Sequence, residues 1–265
     1  MSTKRLRLAV LVSGGGTNLQ ALLDRSADGT LNADIVVAAS DRADAYGLVR
    51  AQKSNVPTHV VDYKAHLQAE SLPDAPMDLA EIDRIQRILR NPDPQKRLDR
   101  LKRLVLAEHE MLTILDRYEP DYICLAGFMR LVSPYFIRHY NQGGARRVLN
   151  IHPALLPACP GQHGYEDTFS YGCKWGGVTV HFVDEGEDTG PIIAQAVYPI
   201  WPGDTLDGVK KRGLGLEYEI YAQCVNWLAA GQVDLRRSGE GKEYTAITDP
   251  AYPQILQGWT QQAFG

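Results

Sequence analysis

Asn150 and His152 stand two residues apart in Val148-Leu149-Asn150-Ile151-His152-Pro153, where a short apolar run meets an amide, an imidazole and a proline. Side chains alternate between the two faces of a strand, so these two share one face. Pro153 has no N–H for a ladder and stops the strand there. An amide donor beside a titratable ring, at the end of a buried strand, suits acyl transfer: one group steadies a developing oxyanion while another handles a proton. The same pair also fits a plainer reading, as ordinary polar side chains at a strand end.

Two further stretches offer chemistry. Ser13-Gly14-Gly15-Gly16-Thr17-Asn18 follows an apolar run and precedes the helically spaced Leu19-Gln20-Ala21-Leu22-Leu23. Strand, glycine turn and helix present backbone N–H groups and a helix N-terminus to an anion, and Thr17 and Asn18 are placed to cap that helix or to add donors to a phosphate. No Gly-Lys-Ser/Thr follows and the glycines lack the GxGxxG spacing, so a tight turn with no ligand remains open. Ala126-Gly127-Phe128-Met129-Arg130-Leu131-Val132-Ser133-Pro134 is a small-residue turn carrying apolar side chains and one arginine. Such a loop after a strand can line a pocket for a flat aromatic ligand, or simply cap the core. Asp184 to Gly190 is acidic, but it lacks the alternation and the final bidentate Glu of a calcium loop, and no metal site is expected.

The elements that must position these residues read as an α/β protein. Leu8–Val12, Ile35–Ala39, His59–Val61 and Asp121–Leu125 are short apolar strands separated by helical patterns, the rhythm of a Rossmann-like, doubly wound, mostly parallel sheet. Gly177–Val183 and Ile192–Val197 add an antiparallel C-terminal extension, and a long helix over about Leu206–Leu228 carries Glu217. Between about 65 and 97 the rhythm breaks. Pro73, Pro76, Pro92 and Pro94 bracket a helical insertion with Leu79, Ile82, Ile85 and Leu89 on one face. A long amphipathic helix follows, with Arg97, Arg100, Lys102 and Arg103 on its polar side; His59 is read as a strand-end side chain. After about Gly231 a short strand and a loose tail are expected, all within one domain spanning 1–265.

Composition narrows the classes. With 265 residues, 44% hydrophobic and 23% charged, the chain can bury a sizeable core, and a net charge of −4 gives no reason to expect nucleic acid or an anionic membrane as partner. No apolar run nears the roughly 20 residues of a membrane span, and the basic Met1–Arg5 precedes too short an apolar run for a signal peptide. Cys124, Cys159, Cys173 and Cys224 are scattered without a CxxC pair, as reduced thiols of a cytoplasmic protein would be.

The motifs taken together resemble the 10-formyltetrahydrofolate-dependent formyltransferases, of the glycinamide ribonucleotide (GAR) type. The matching stretches are Ser13–Gln20, Ala43–Leu48, Leu125–Arg130, Asn150–Pro153 with Leu155-Leu156-Pro157, Pro160–His163, Val180–Val183 and Asp188–Pro191, in the family's order over most of 6–230. The resemblance implies transfer of a formyl group from 10-formyltetrahydrofolate, as co-substrate, to a primary amine, with no covalent enzyme intermediate. It implies that Asn150 and His152 serve the oxyanion and that Asp188 raises the imidazole's pKa and relays the proton. It also implies that Gly16, Thr17 and Asn18 hold a ribose 5-phosphate, that Met129, Arg130, Leu131 and Val132 line the pterin pocket beside Asn150, and that Glu217 contacts the amine. His163 and His181 match family histidines for which a supporting or structural role is expected.

Departures fall near the amine. Leu214 and Leu216 stand where the family commonly has glutamines, Tyr218 replaces a histidine and Ala154 a serine. The insertion has no family counterpart, and Arg103 is the nearest candidate for the arginine set against the folate glutamate tail. The expected function is GAR formylation in purine synthesis, by a monomer or homodimer. Alternatives are a 10-formyltetrahydrofolate hydrolase, whose usual preceding regulatory domain has no room before Ser13, a formyltransferase of another phosphorylated or nucleotide-linked amine, and a catalytically silent folate- or nucleotide-binding module. A methionyl-tRNA formyltransferase would need a further C-terminal domain and a less acidic chain.

Overall fold

The structure, a computed structural model, describes residues 5–264; the basic Met1–Lys4 and the terminal Gly265 lie outside the described residues. In chain order the elements are β1 (Leu6–Val12), α1 (Thr17–Ala27), β2 (Ala33–Ser40), α2 (Tyr46–Lys53), β3 (Thr58–Val60), α3 (Tyr63–Gln68), α4 (Leu79–Ile85) and α5 (Pro94–Leu115). There follow β4 (Tyr122–Leu125), α6 (Pro134–Tyr140), β5 (Val148–His152), α7 (Gly164–Ser170), β6 (Trp175–Phe182), β7 (Ile192–Pro199), α8 (Leu206–Ala229), β8 (Val233–Arg237), β9 (Glu243–Ile247) and α9 (Tyr252–Phe264).

The main sheet has the order β3-β2-β1-β4-β5-β6-β7. Its first five strands are parallel, while β6 runs antiparallel to β5, and β7 to β6. Both faces are covered, which is why β1 reads as an unbroken apolar run. Leu8, Val10 and Val12 pack into one layer with α1, α2 and α8; Ala9 and Leu11 pack into the other with α5 and α6. Leu149 and Ile151 of β5 belong to the first layer and Val148 to the second, so Asn150 and His152 project on the α5–α6 side.

The insertion is helical as expected. Ile82, Leu101 and Val105 form a small core of their own, with Met77, Leu79, Ile85 and Leu89 packed against it. The crossover helix starts earlier than the expected boundary near 97, because Pro94 takes its first turn and the Asp93 carboxylate caps it by accepting from the Gln95 and Lys96 N–H groups at 2.9 and 3.3 Å.

Two expectations are corrected. The segment after Gly231 is not a loose tail: β8 and β9 form a hairpin and α9 docks through Trp259 and Ala263, with the Trp259 and Trp227 rings 5.9 Å apart. Nor do Thr17 and Asn18 cap α1. Gly16 holds the cap position in the left-handed region (φ 67°) with no side-chain cap, and Thr17 opens the helix.

Candidate active site

A cavity of about 250 Å³ opens at the carboxyl edge of the sheet. The strand order changes direction between β1 and β4, and the loops leaving these two strands flank the crevice where ligands bind in open α/β sheets. They are tied together: Ser13 N–H donates to the Gly127 carbonyl at 3.0 Å, and the Met129 N–H donates to Ser13 Oγ at 2.8 Å.

Asn150, His152 and Asp188 meet on one wall. The Asp188 Oδ2 atom lies 3.3 Å from His152 Nδ1 and accepts from the Gly161 N–H at 2.8 Å; its Oδ1 lies 3.4 Å from Asn150 Nδ2. His152 is nearly fully buried and its Nε2–H donates to the Cys159 carbonyl at 2.8 Å, which leaves Nδ1 toward the carboxylate. Burial pushes the imidazole pKa below its ordinary value, against the opposing pull of Asp188. Burial also acts to raise the Asp188 carboxyl, but the hydrogen bond from His181, the charge of His152 and the Gly161 N–H outweigh it and hold the group below the usual carboxylate range. The carboxylate and the ring nitrogen are thus placed to hold a proton between Asp188 Oδ2 and His152 Nδ1.

His181 completes the cluster. It faces Asn150 directly across the antiparallel β5–β6 pair, with Nε2 3.2 Å from Asn150 Nδ2 and 3.5 Å from Asp188 Oδ1. Its Nδ1–H donates to the Phe182 carbonyl at 2.8 Å, which fixes the ring. The loop bearing Asp188 leaves β6 beside the start of β5, where the Val183 N–H donates to the Val148 carbonyl, and folds back over the strand face.

The Met129–Val132 loop forms the apolar end. Met129 and Leu131 expose much of their surface while Val132 is buried. Arg130 Nε donates to the buried Asp41 carboxylate at 2.6 Å, and the same carboxylate accepts from Ser13 Oγ at 2.5 Å. Below the loop, Glu108 is fully buried and accepts from the Ser133 N–H at 2.6 Å and from Ser133 Oγ; burial pushes its pKa up to about 8, against these two hydrogen bonds. The insertion reaches the cavity too: Ile88 lines it, and the Arg87 N–H donates to the Glu185 carbonyl at 3.2 Å, in the loop that carries Asp188.

The opposite end comes from α1, α7 and α8. Asn18, Tyr165, Leu214 and Glu217 all line the cavity. The buried Glu217 accepts from Asn18 Nδ2 at 2.6 Å and from Tyr165 Oη. Burial raises its pKa while those two donors act to lower it. Gly16 and Thr17 are not among the lining residues; they sit on the adjoining turn, where a Cβ on Gly16 would lie 2.5 Å from Gly47 Cα, so only glycine allows α1 and α2 to approach there.

The structure thus gathers Asn18, Met129–Val132, Asn150, His152, Asp188 and Glu217 at one cavity. It separates Leu214, which lines it, from Leu216, which is buried against the other side of α8. Arg103 is not at the cavity: its guanidinium donates to Asp99 at 2.8 Å and to the Ala69 carbonyl at 2.8 Å, holding the insertion to α5. His163 precedes α7 outside the lining, whereas His181 stands inside it. His181, expected in a supporting role, stands in the cavity wall because β6 pairs it with Asn150 of β5. Among the lining residues that escaped sequence reasoning, Tyr165 and Ile88 carried no local signal, since both depend on how separate segments dock.

The chain matches a known family over most of its length. Residues 6–225 fit the formyl transferase family, and the chain belongs to it. Phosphoribosylglycinamide formyltransferase of Escherichia coli K12 is 33% identical over 233 residues, covering 88% of this chain and 92% of that protein. The trifunctional purine biosynthetic protein adenosine-3 of Homo sapiens is 32% identical over 237 residues, and the matched part is 20% of its length. Among solved structures, glycinamide ribonucleotide transformylase 1 of Symbiobacterium toebii superposes with a TM-score of 0.70 at 34% identity, covering 93% of this chain and 95% of that one.

Proposed function

We propose that the chain transfers the formyl group of 10-formyltetrahydrofolate to the primary amine of glycinamide ribonucleotide, a step of purine biosynthesis. The observation that carries this reading is the convergence of Asn150, His152 and Asp188 between an apolar end and an acceptor-rich end of one cavity. The names of the relatives support the same reaction.

The folate supplies an acyl group poised for attack. As the amine attacks the formyl carbon, a C–N bond forms, the bond to folate N10 breaks, the amine loses a proton and N10 gains one. Asn150 Nδ2 is the donor for the oxygen on which negative charge develops, and His152 adds its positive charge when a proton occupies its ring. Asp188 stabilises that imidazolium and passes the proton on toward the leaving nitrogen through water. Met129, Leu131 and Val132 fit a flat pterin by apolar contact, with backbone groups and Arg130 at the rim. Gly16, Thr17 and Asn18, at the N-terminus of α1, hold the phosphate through backbone N–H groups, the Asn18 side chain being turned to Glu217. Glu217 receives the amine. We read the enzyme as cytoplasmic, where thiols such as the buried Cys124 and Cys224 stay reduced, and as a monomer or homodimer acting on small molecules.

The test is to incubate the protein with 10-formyltetrahydrofolate, with and without GAR, and to follow loss of the formyl group. Loss only in the presence of GAR is expected. Loss without any amine would make the chain a hydrolase, and no loss in either mixture would leave the reading without its reaction.

A further inference from the structure

We propose that Tyr165 is a positioning residue that aims the Glu217 carboxylate at the incoming amine, and that Gly213 is the space α8 leaves for its ring. The proposal rests on the formyl-transfer reading above and assigns the amine-receiving end of that site.

Glu217 is 5% exposed, so its carboxylate has little water to hold it. Its two oxygens have different partners on different elements: Oε2 accepts from Asn18 Nδ2 of α1 at 2.6 Å, and Oε1 accepts from Tyr165 Oη of α7. One donor on one oxygen would still let the carboxylate rotate about its last bond. A donor on each fixes its plane and leaves one lone pair per oxygen for a ligand. The Asn18 Oδ1 atom is buried with no hydrogen-bond partner among the described residues. The corner is therefore rich in acceptors, with both Glu217 oxygens and Asn18 Oδ1 open to a donor. A primary amine, which brings two or three N–H donors, satisfies several of them at once; a hydroxyl brings one donor and a second carboxylate none.

The packing around Tyr165 supports the same assignment. A Cβ on Gly213 would lie 2.4 Å from the Tyr165 ring and from its hydroxyl oxygen, so the ring lies directly against the α8 backbone. A buried glycine within a helix costs stability relative to alanine, and here close approach of the ring accounts for it. The helix that carries Tyr165 is also seated tightly on the exit of β5: a Cβ on Gly164 would lie 3.0 Å from the Pro153 carbonyl oxygen. Pro153 directly follows His152, so α7 fixes Glu217 relative to the formyl-transfer wall.

The experiment is steady-state formyl transfer by the full chain, with GAR and 10-formyltetrahydrofolate varied separately across pH. Tyr165→Phe keeps the ring and removes one hydrogen bond to a charged group, and the KM for GAR is expected to rise about tenfold or more while the KM for folate stays within about twofold. Without the tyrosine donor Glu217 takes up its proton more readily, so the acid limb of the pH profile moves to higher pH. In a Glu217→Gln background the same substitution adds no further change in the KM for GAR. Gly213→Ala, which displaces the ring, is expected to reproduce the selective rise. Unchanged KM for GAR and an unmoved pH profile in Tyr165→Phe, or equal rises in both KM values, overturn this proposal alone. Absence of turnover with GAR in the unaltered protein overturns it together with the reading it rests on.

Discussion

Asp188 approaches His152 from a left-handed backbone conformation (φ 54°), with Oδ2 3.3 Å from the ring nitrogen and locked by the Gly161 N–H. Aspartate is among the few non-glycine residues that tolerate this region, and here the anchored carboxylate holds it there. Asp188→Asn keeps an oxygen for Gly161 but removes the charge that stabilises an imidazolium. Turnover is expected to fall by about 10²–10⁴-fold with little change in Tm. Rates near those of the unaltered enzyme would remove Asp188 from the mechanism.

The Met129–Val132 loop, proposed above to face the pterin, is tied down by Asp41, which receives both Arg130 and Ser13. Asp41→Asn leaves Arg130 without its ionic partner and loosens the Ser13 link to the Met129 N–H. The KM for 10-formyltetrahydrofolate is expected to rise about tenfold, as loss of a charge-assisted hydrogen bond implies. An unchanged folate KM, measured at saturating GAR, would show that the loop holds its shape without the pair.

Glu108 makes stability depend on pH. Its carboxyl lies at about 8 in the folded protein against an ordinary 4.5, so across that window the folded state keeps a proton that the unfolded chain has released. Stability is therefore greatest below the lower value and declines as pH rises through the higher one. Tm is expected to drop by at least about 4 °C between roughly pH 5.5 and 8.5, and Glu108→Gln to reduce that drop. Equal slopes in the two proteins would assign the pH dependence elsewhere.

Ile88 brings the insertion into the cavity wall. Ile88→Ala removes apolar surface from the Phe128–Val132 end alone, and if that end takes the folate as proposed, the folate KM is expected to rise about fivefold with the KM for GAR unchanged, in line with partial loss of one buried aliphatic side chain. A rise in both, read from the same two-substrate kinetics, would mean that the insertion supports the whole cavity.

Much of this architecture was legible because its causes are local. The alternation of Val148, Asn150 and His152 against Leu149 and Ile151 gives one polar face on a strand whatever surrounds it. Likewise the helical spacing of Leu19, Leu22 and Leu23 after the glycine turn becomes α1, with all three side chains buried. What escaped depends on docking. The α9 helix carries Tyr252, Ile255, Leu256, Trp259 and Ala263 at helical spacing and packs all five on the core, but the surface that receives them, on α8 and β7, is built by residues far off in the chain. Arg103 was assigned by position along a helix, and the direction its guanidinium takes was decided by the Ala69 carbonyl in the insertion. Tyr165 lies 52 residues from Glu217, and nothing near either one announces the other.

The cavity lies across the edge of the sheet, with Met129–Val132 on the α5–α6 side and Asn18, Tyr165 and Glu217 on the α1–α8 side. On the proposed function, the sheet edge divides this one cavity into a folate side and an amine side, with Asn150 and His152 at the passage between them. Substitutions confined to α7 and α8 are then expected to change the amine accepted and to spare the one-carbon source, and an inhibitor built for one side alone would leave the other open to its own ligand.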